Sequence, residues 1–182
     1  MTVALIRLLG ERLGLREGTN ELQFVTLDVT DNAARHLLFG EPAQTGAEWT
    51  SGAVEDKAQE YGRSQATLVL SDAPGRIDDH TRKLLALADA LFILARDERD
   101  MTSWEALARE LDLRVVGRAL SAPESTREPS SWDPASRLGV LRGLIREAVQ
   151  VPDPLSLPAD TQDALIQIAR FLWEIATEQK TA

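Results

Sequence analysis

The 182-residue sequence contains no cysteine and only two histidines. Without thiols the chain has no disulfide, no thiolate nucleophile and no cysteine ligand for a metal. His36 and His80 are far apart in the sequence, so a histidine-rich metal site is not expected. No G-x-S-x-G nucleophile elbow occurs, and no G-x-G-x-x-G fingerprint follows a strand-like run. The sequence therefore disfavours cysteine and serine hydrolases and dinucleotide-dependent oxidoreductases.

Long apolar runs are also missing, and no stretch approaches the length needed to cross a bilayer. The first residues, MTVALIRLLGERLGL, have too short an apolar core and the wrong flanks for a signal peptide. Acidic side chains outnumber basic ones, 29 to 20, which gives a net charge of −9. A nucleic-acid-binding surface needs the opposite sign to neutralise phosphates. We therefore expect a cytoplasmic protein without a membrane partner, and we do not expect direct nucleic-acid binding.

The residues that are present predict an α/β fold. With 43% apolar residues, a chain of this length can bury the core of one domain. Runs of apolar or β-branched residues predict strands over 22–29, 66–70, 90–95 and 114–120. Helical patterns separate them, over 2–15 (ended by Gly18 and Asn20), 31–40, 53–63, 78–88 and 102–111 (capped by Thr102 or Ser103). This alternation predicts a mostly parallel sheet of about four strands with helices on both faces.

The chain reads as a single domain with a core, a linker and a helical extension. The core covers 1–121, the Pro/Ser-rich linker covers 122–134, and the C-terminal helices lie within 135–182, near 135–150 and 159–179. The last helix, DALIQIARFLWEIA, is apolar around much of its circumference. Such a helix packs deeply or meets another subunit.

Three predicted strands end in polar residues, namely Asp28, Asp72 and Ser121. In a parallel sheet these ends meet at one edge, where ligands bind in open α/β folds. Asp72 lies in the stretch LVLSDAPGRIDDH, in which a glycine turn follows the strand. A carboxylate at that point can hold a metal-bound water near phosphates, and Gly75 would let the backbone approach a terminal phosphate.

Each of these residues also has a purely structural interpretation. Asp72 can cap the turn that Pro74 and Gly75 shape, and Asp28 is an ordinary strand-end turn residue. Ser121 lies where a plain loop would begin, although it could line a base pocket. Arg76 and Arg96 could reach a phosphate or simply be solvated.

The stretch from Thr67 to Ser121 resembles the second half of P-loop NTPases of the ParA/MinD kind. In that family an apolar strand ends in Asp-x-Pro-Gly or a near variant, followed by a helix, Ala-Asp, a strand, a helix and a further strand. Here these elements are LVLSDAPG, LLALADALFILA and SWEALARELDLRVVGRALS. The run of a helix with a tryptophan, an apolar strand and a serine is similar to the NTPase domain found with CRISPR-linked ring nucleases. Upstream, TVALIRLLGERLGL and FVTLDVTDN resemble the helix after the phosphate loop and the next strand.

The resemblance covers roughly two-thirds of the chain and implies a set of roles. Asp72 would be the Walker B carboxylate, and Thr2 would fall at or next to the magnesium-binding Ser/Thr. Gly75 would sense the terminal phosphate, and Asp28 would lie near the attacking water. ATP and Mg²⁺ would then be the cofactors, with Thr2 and Asp72 as the metal-associated residues and Ser121 beside the nucleotide.

One departure from the family is large, because the phosphate loop G-x-x-x-x-G-K-[ST] is absent and no Gly-Lys pair occurs anywhere. Either the sequence is truncated, so that Met1 follows the loop, or the protein is a relative that has lost hydrolysis. The abrupt start of the first helix in the family's register favours truncation. Positioning and charge stabilisation are most of phosphoryl-transfer catalysis, so this polypeptide should be a poor ATPase or use no cofactor at all. The remaining strands should close the gap left by the family's first strand, or the exposed edge should pair with another chain.

The resemblance implies a truncated or degenerate P-loop-NTPase-like domain. Its complete form would bind and hydrolyse a nucleoside triphosphate with magnesium and switch protein partners. The alternative is a non-catalytic interaction module that forms a homodimer or docks a partner through its C-terminal helix. A flavodoxin-like domain that binds a phosphorylated small molecule is a third interpretation.

Overall fold

The computed structural model describes residues 1–28, 33–42, 49–144 and 156–181. The helices are α1 (Thr2–Leu13), α2 (Ala33–Phe39), α3 (Ser51–Gly62), α4 (Asp79–Leu85), α5 (Glu98–Glu110) and α6 (Ala159–Thr181). The strands are β1 (Leu22–Thr26), β2 (Leu68–Asp72), β3 (Ala90–Ala95), β4 (Arg114–Ala122), β5 (Ser131–Asp133) and β6 (Leu138–Arg142). The fold is mixed α/β, and it ends in a long helix.

The strands form two sheets rather than the single sheet that we expected. In the described ranges, β1 and β2 form a parallel pair, and the other sheet has the order β3-β4-β6-β5. The pairs β3–β4 and β4–β6 are parallel, whereas β5–β6 is antiparallel. The prediction of a mostly parallel sheet is therefore confirmed only in part, since an antiparallel hairpin completes the second sheet.

Helices cover both faces of the strands. On one side α1 and α6 pack together and share a core cluster with β1, β2, β4, β5 and β6. On the other side Val25 and Leu27 pack against Val54 of α3 and Leu84 of α4, while Ile93 packs against Met101 of α5. Successive side chains of a strand point to opposite faces, which is why near-continuous apolar strands supply both clusters. Because α6 contacts β2, β5 and β6, it spans both sheets and holds them side by side.

Several element boundaries differ from the prediction. Helix α1 ends at Leu13, because Gly14 adopts the left-handed conformation (φ 71°) and its N–H bonds to the last turn. Helix α5 begins at Glu98 with Asp97 as its cap, whose side chain accepts a bond from the Asp100 N–H, so a start at Thr102 or Ser103 was wrong. Strand β2 extends to Asp72 instead of stopping at Leu70.

The predicted helix near 135–150 was wrong where the structure describes it, because 138–142 is strand β6. The segment predicted as a linker, 122–134, contains β5. Gly139 lies against the backbone of Ser131 and the ring of Trp132, so this position has no room for a side chain. Strand β6 pairs with β4 and β5, and this pairing overrides the helical spacing of its leucines. Residues 145–150 of the predicted helix, residue 29 of the first predicted strand and loop residues 43–48 lie outside the described ranges.

Helix α6 uses its apolar face inside the domain. Ala164, Leu165, Ile168, Ala169 and Leu172 are buried in the shared core. Its exposed polar positions form a stripe, which consists of Asp163, Gln167, Arg170, Glu174 and Glu178. The wide apolar circumference read from the sequence thus reflects packing against α1 and the two sheets. In the described part of the chain, no helix is long and apolar enough to cross a membrane.

Candidate functional site

The candidate site is a corner formed by Thr2, at the start of α1, and Asp72, at the end of β2. The Thr2 hydroxyl donates a hydrogen bond to Asp72 Oδ1, with 3.1 Å between the oxygens. These residues are 70 positions apart, so the contact is made by tertiary structure alone. A hydroxyl oxygen and a carboxylate side by side are the oxygen ligands that Mg²⁺ prefers.

The Asp72 backbone is fixed by the neighbouring strand. Asp72 is in register with Thr26 of β1, and its carbonyl oxygen accepts a bond of 2.9 Å from the Leu27 N–H. The next residues, Ala73 and Pro74, leave the strand, so the carboxylate stands at the carboxyl end of β2. The sheet rather than the turn therefore sets the position of this side chain.

Thr2 is fixed by a helix that is buried on most sides. Val3, Ala4, Leu5 and Ile6 are consecutive and all buried, so α1 is enclosed by the core from its first turn. The amides of a first helical turn have no partner within the helix, and the helix dipole adds partial positive charge there. Burial lowers the pKa of the Met1 α-amino group, and the Asp72 carboxylate opposes part of that shift. The corner therefore combines an anionic oxygen with the positive end of a helix, and a helix N-terminus is a place where phosphate can bind.

A cleft opens beside this corner. It is a cavity of about 1080 Å³ between β2 and β3, which we call the β2–β3 cleft, and Thr2, Asp72 and Gly75 all contribute to its wall. Leu172 and Ile175 of α6 line another side. Arg96 is the one Lys or Arg side chain among the described lining residues, and it pairs with Asp100 at 3.1 Å. The cleft is therefore apolar over most of its wall and provides little cationic charge.

Gly75 follows β2 on the exposed rim of the cleft. Its φ lies outside the left-handed region, and a Cβ built there would meet no atom within 4 Å. The fold therefore does not require glycine at this position. A glycine that the protein itself does not need leaves room for a ligand to approach the backbone.

Asp28 follows a strand of the sheet that carries Asp72, whereas Ser121 lies in the other sheet. Asp28 follows β1, two residues after the register partner of Asp72, so these two carboxylates lie at the same end of the parallel pair. Ser121 lies on β4 in the other sheet, with β3 between it and the cleft. It is not among the described lining residues, and its Oγ is buried without a hydrogen-bond partner in the described part of the chain. The structure thus brings Thr2, Asp72 and Gly75 to one cleft and Asp28 to the same end of the β1–β2 pair.

An aromatic cluster next to Gly75 was not predicted. The Trp49 ring stacks on His80, with centroids 5.4 Å apart and planes inclined by 15°. The Arg76 guanidinium lies over Trp49, 5.5 Å from the ring centroid, and also pairs with Asp78 at 2.7 Å. Trp49 lies in a polar loop without periodicity, so no sequence pattern predicts this contact. A single tryptophan in such a loop was the only signal that it would have a partner.

The described residues fit a magnesium ion only if a ligand completes its coordination. Among them no group of three or more His, Asp or Glu side chains could hold a metal. Mg²⁺ commonly uses one or two protein oxygens together with substrate phosphates and water. Thr2 and Asp72 are such a pair.

Comparison of the sequence with family models gave no match, and comparison with curated proteins gave none either.

Proposed function

We propose that this domain is P-loop-NTPase-like and that Thr2 and Asp72 form the magnesium corner of a nucleoside-triphosphate site. The observation that supports the proposal is the hydrogen bond between the Thr2 hydroxyl and Asp72 Oδ1. The resemblance assigns these two residues to one magnesium ion, and a contact over 70 positions is what that assignment requires.

In this proposal each residue has a defined part. Thr2 Oγ1 would bind the ion directly, and the Asp72 carboxylate would orient a water of its coordination shell. When bound, the ion would neutralise charge on the β- and γ-phosphates. The first-turn amides of α1 would face the phosphates, and the open rim at Gly75 would admit the terminal phosphate to the backbone. Asp28, at the same end of the β1–β2 pair, would lie toward the attacking water.

Hydrolysis by this polypeptide should be slow. Phosphoryl transfer depends on positive groups around the transferring phosphate, and Arg96 is the one Lys or Arg side chain among the described residues that line the cleft. That guanidinium is engaged with Asp100 and largely exposed. We therefore expect magnesium-dependent nucleotide binding with little turnover.

The experiment is a calorimetric titration of the protein with ATP, with and without Mg²⁺. Asp72→Asn and Thr2→Val should weaken the magnesium-dependent binding by about 10–100-fold, the usual effect of removing groups that support a metal. Thr2→Ser keeps the hydroxyl and should retain binding. Asp163→Asn removes the same charge from the exposed face of α6 and is the matched control.

Trp49 offers an independent readout, because a ligand at the Gly75 rim should change its stacking on His80 and its fluorescence. If the wild-type protein releases no magnesium-dependent heat, or if Asp72→Asn and Asp163→Asn bind alike, the corner is not a nucleotide site.

The alternative function, an interaction module that acts through the C-terminal helix, remains a prediction. The face of α6 that would bind a partner is not the apolar face that the sequence suggested. Leu172 is 8% exposed and packs in the core, so Leu172→Glu would report on folding rather than on association. An association through α6 would use the polar stripe that starts at Asp163.

A further inference from the structure

The aromatic cluster beside the cleft contains an arginine that the magnesium corner does not use. Arg76 follows Gly75 directly, and among the described residues Gly75 and Ile77 line the cleft whereas Arg76 does not. Its guanidinium lies 5.5 Å from the ring centroid of Trp49, and its Nε lies 2.7 Å from Oδ2 of Asp78. The only side chain that the rim turn could offer to an anion is therefore engaged outside the cleft.

The contacts that hold Arg76 are of a kind that exchanges readily. The Arg76 side chain is 58% exposed, and that of Asp78 is 30% exposed. An ion pair at such exposure contributes little to stability, because water solvates both charges almost as well. A cation–π contact at an exposed site is also weak. The guanidinium can therefore leave its present position at small cost.

The partners of Arg76 have other contacts of their own. Asp78 is the N-cap of α4, and its Oδ1 accepts a hydrogen bond of 2.9 Å from the Thr81 N–H. That N–H does more than the Arg76 guanidinium to lower the pKa of Asp78. Trp49 has the His80 ring as a stacking partner. Departure of the arginine thus leaves neither a carboxylate nor a ring without a neighbour.

A phosphate at the Gly75 rim would need a cation from the protein. Asp72 is anionic and lies in the wall of the same cleft, and Asp28 lies at the same end of the β1–β2 pair. Arg96 is the one Lys or Arg side chain among the described lining residues, and it pairs with Asp100. Nucleoside-triphosphate sites surround the terminal phosphate with metal ions and basic side chains. The present lining supplies too little of this charge.

Arg76 is close enough to supply it. Consecutive Cα atoms are about 3.8 Å apart, and an extended arginine side chain is longer than that. A phosphate oxygen that accepts a hydrogen bond from the Gly75 N–H would therefore lie within reach of the Arg76 guanidinium after a change of side-chain rotamer. The guanidinium fork can bind two phosphate oxygens at once, and such charge-assisted bonds are stronger than an exposed ion pair.

We infer that Arg76 binds the terminal phosphate and makes the site selective for a triphosphate over a diphosphate. Without nucleotide the guanidinium is stored on Trp49 and Asp78. With a nucleoside triphosphate it exchanges these contacts for the γ-phosphate at the Gly75 rim, and a diphosphate, which lacks that group, leaves it in place. This inference rests on the proposed function, because it assigns a second protein group to the same ligand.

Calorimetric titrations with Mg²⁺ and either ATP or ADP test the selectivity. Arg76→Ala should weaken binding of ATP by about tenfold, the effect of losing a hydrogen bond between charged groups, and should leave the affinity for ADP unchanged. Arg76→Lys keeps the charge without the fork and should retain part of the affinity for ATP. Arg127→Ala removes an exposed arginine from the loop before β5 and is the matched control.

A second variant should act in the opposite direction. Asp78→Asn can still cap α4 but no longer pairs with the guanidinium, so less is lost when Arg76 moves to the phosphate. The affinity for ATP should rise by up to about fivefold, the range of an exposed ion pair. The rise should disappear in the double variant with Arg76→Ala. A rise that persists there would mean that the lost negative charge acts by itself, and it would overturn the exchange.

Trp49 reports the exchange directly. ATP with Mg²⁺ should change its fluorescence as the guanidinium leaves the ring, ADP should not, and the change should be absent in Trp49→Phe. Equal loss of ATP and ADP binding in Arg76→Ala would overturn the selectivity. Binding that Asp72→Asn weakens and Arg76→Ala does not would overturn the role of Arg76 alone. Absence of magnesium-dependent binding by the wild type would overturn the proposed function and this inference with it.

Discussion

Substitution of Gly117 by alanine tests the packing that holds β3 beside the cleft. A Cβ at this position would lie 2.6 Å from Cε2 of Phe92 and 2.6 Å from Cη2 of Trp132. Both atoms belong to rigid rings that pack on each other, with centroids 5.3 Å apart, and Trp132 is 6% exposed. Neither ring can move without displacing its neighbours.

The expected magnitude follows from two opposing effects. Overpacking of a core costs about 1–3 kcal/mol. Replacing glycine by alanine restricts the unfolded chain and returns about 0.4–1 kcal/mol. We therefore expect Gly117→Ala to lower the free energy of unfolding by about 1–2 kcal/mol, which corresponds to about 2–8 °C in Tm for a chain of this size.

The matched control is Gly75→Ala. A methyl group there meets no atom within 4 Å, so the free energy of unfolding should change by less than about 0.5 kcal/mol. Urea denaturation followed by tryptophan fluorescence, with far-ultraviolet circular dichroism as a second probe, measures both variants. If Gly117→Ala unfolds like the wild type, the rings of Phe92 and Trp132 do not close over β4 as described. If both variants are equally destabilised, the difference in space around the two glycines has no energetic meaning.

Two further predictions concern the C-terminal helix. Leu165 of α6 is fully buried in the core. Leu165→Ala should therefore lower the free energy of unfolding by about 2–5 kcal/mol, measured by urea denaturation. Burial acts to raise the pKa of the Asp160 carboxyl, but the Ser130 N–H and the Arg142 guanidinium outweigh it and hold that pKa below the ordinary 3.8. A carboxyl whose pKa is lower in the folded than in the unfolded state stabilises the fold above the unfolded pKa, and this stabilisation is lost as the pH falls through the folded pKa. Asp160→Asn should therefore flatten the decline of Tm below about pH 4. An unchanged decline would contradict this prediction.

The local sequence pattern was sufficient to predict an element when the residues of that segment themselves mark its ends. Strand β3 occupies Ala90–Ala95 as predicted, because the apolar run stops at Asp89 on one side and Arg96 on the other. Helix α6 likewise matches its prediction to within two residues, since its buried positions recur at helical spacing over many turns.

The local sequence pattern gave wrong predictions where a distant segment determines the structure. Ser71 and Asp72 are polar, yet they belong to β2 because Val25 and Thr26 of β1 pair with them. The segment 138–142 has leucines at helical spacing, but it forms a strand between β4 and β5. Register with a remote strand is not encoded in local periodicity, so these differences could not be predicted from the segments themselves.

Two residues of the candidate site were predictable from the sequence pattern, but their surroundings were not. Asp72 and Gly75 follow from a strand-end motif, and the pairing of Asp72 with Thr2 came from the resemblance and not from spacing. The Trp49–His80 stack and the division into two sheets depend on tertiary packing. No feature of the sequence distinguishes a strand edge that is paired from one that faces a cleft.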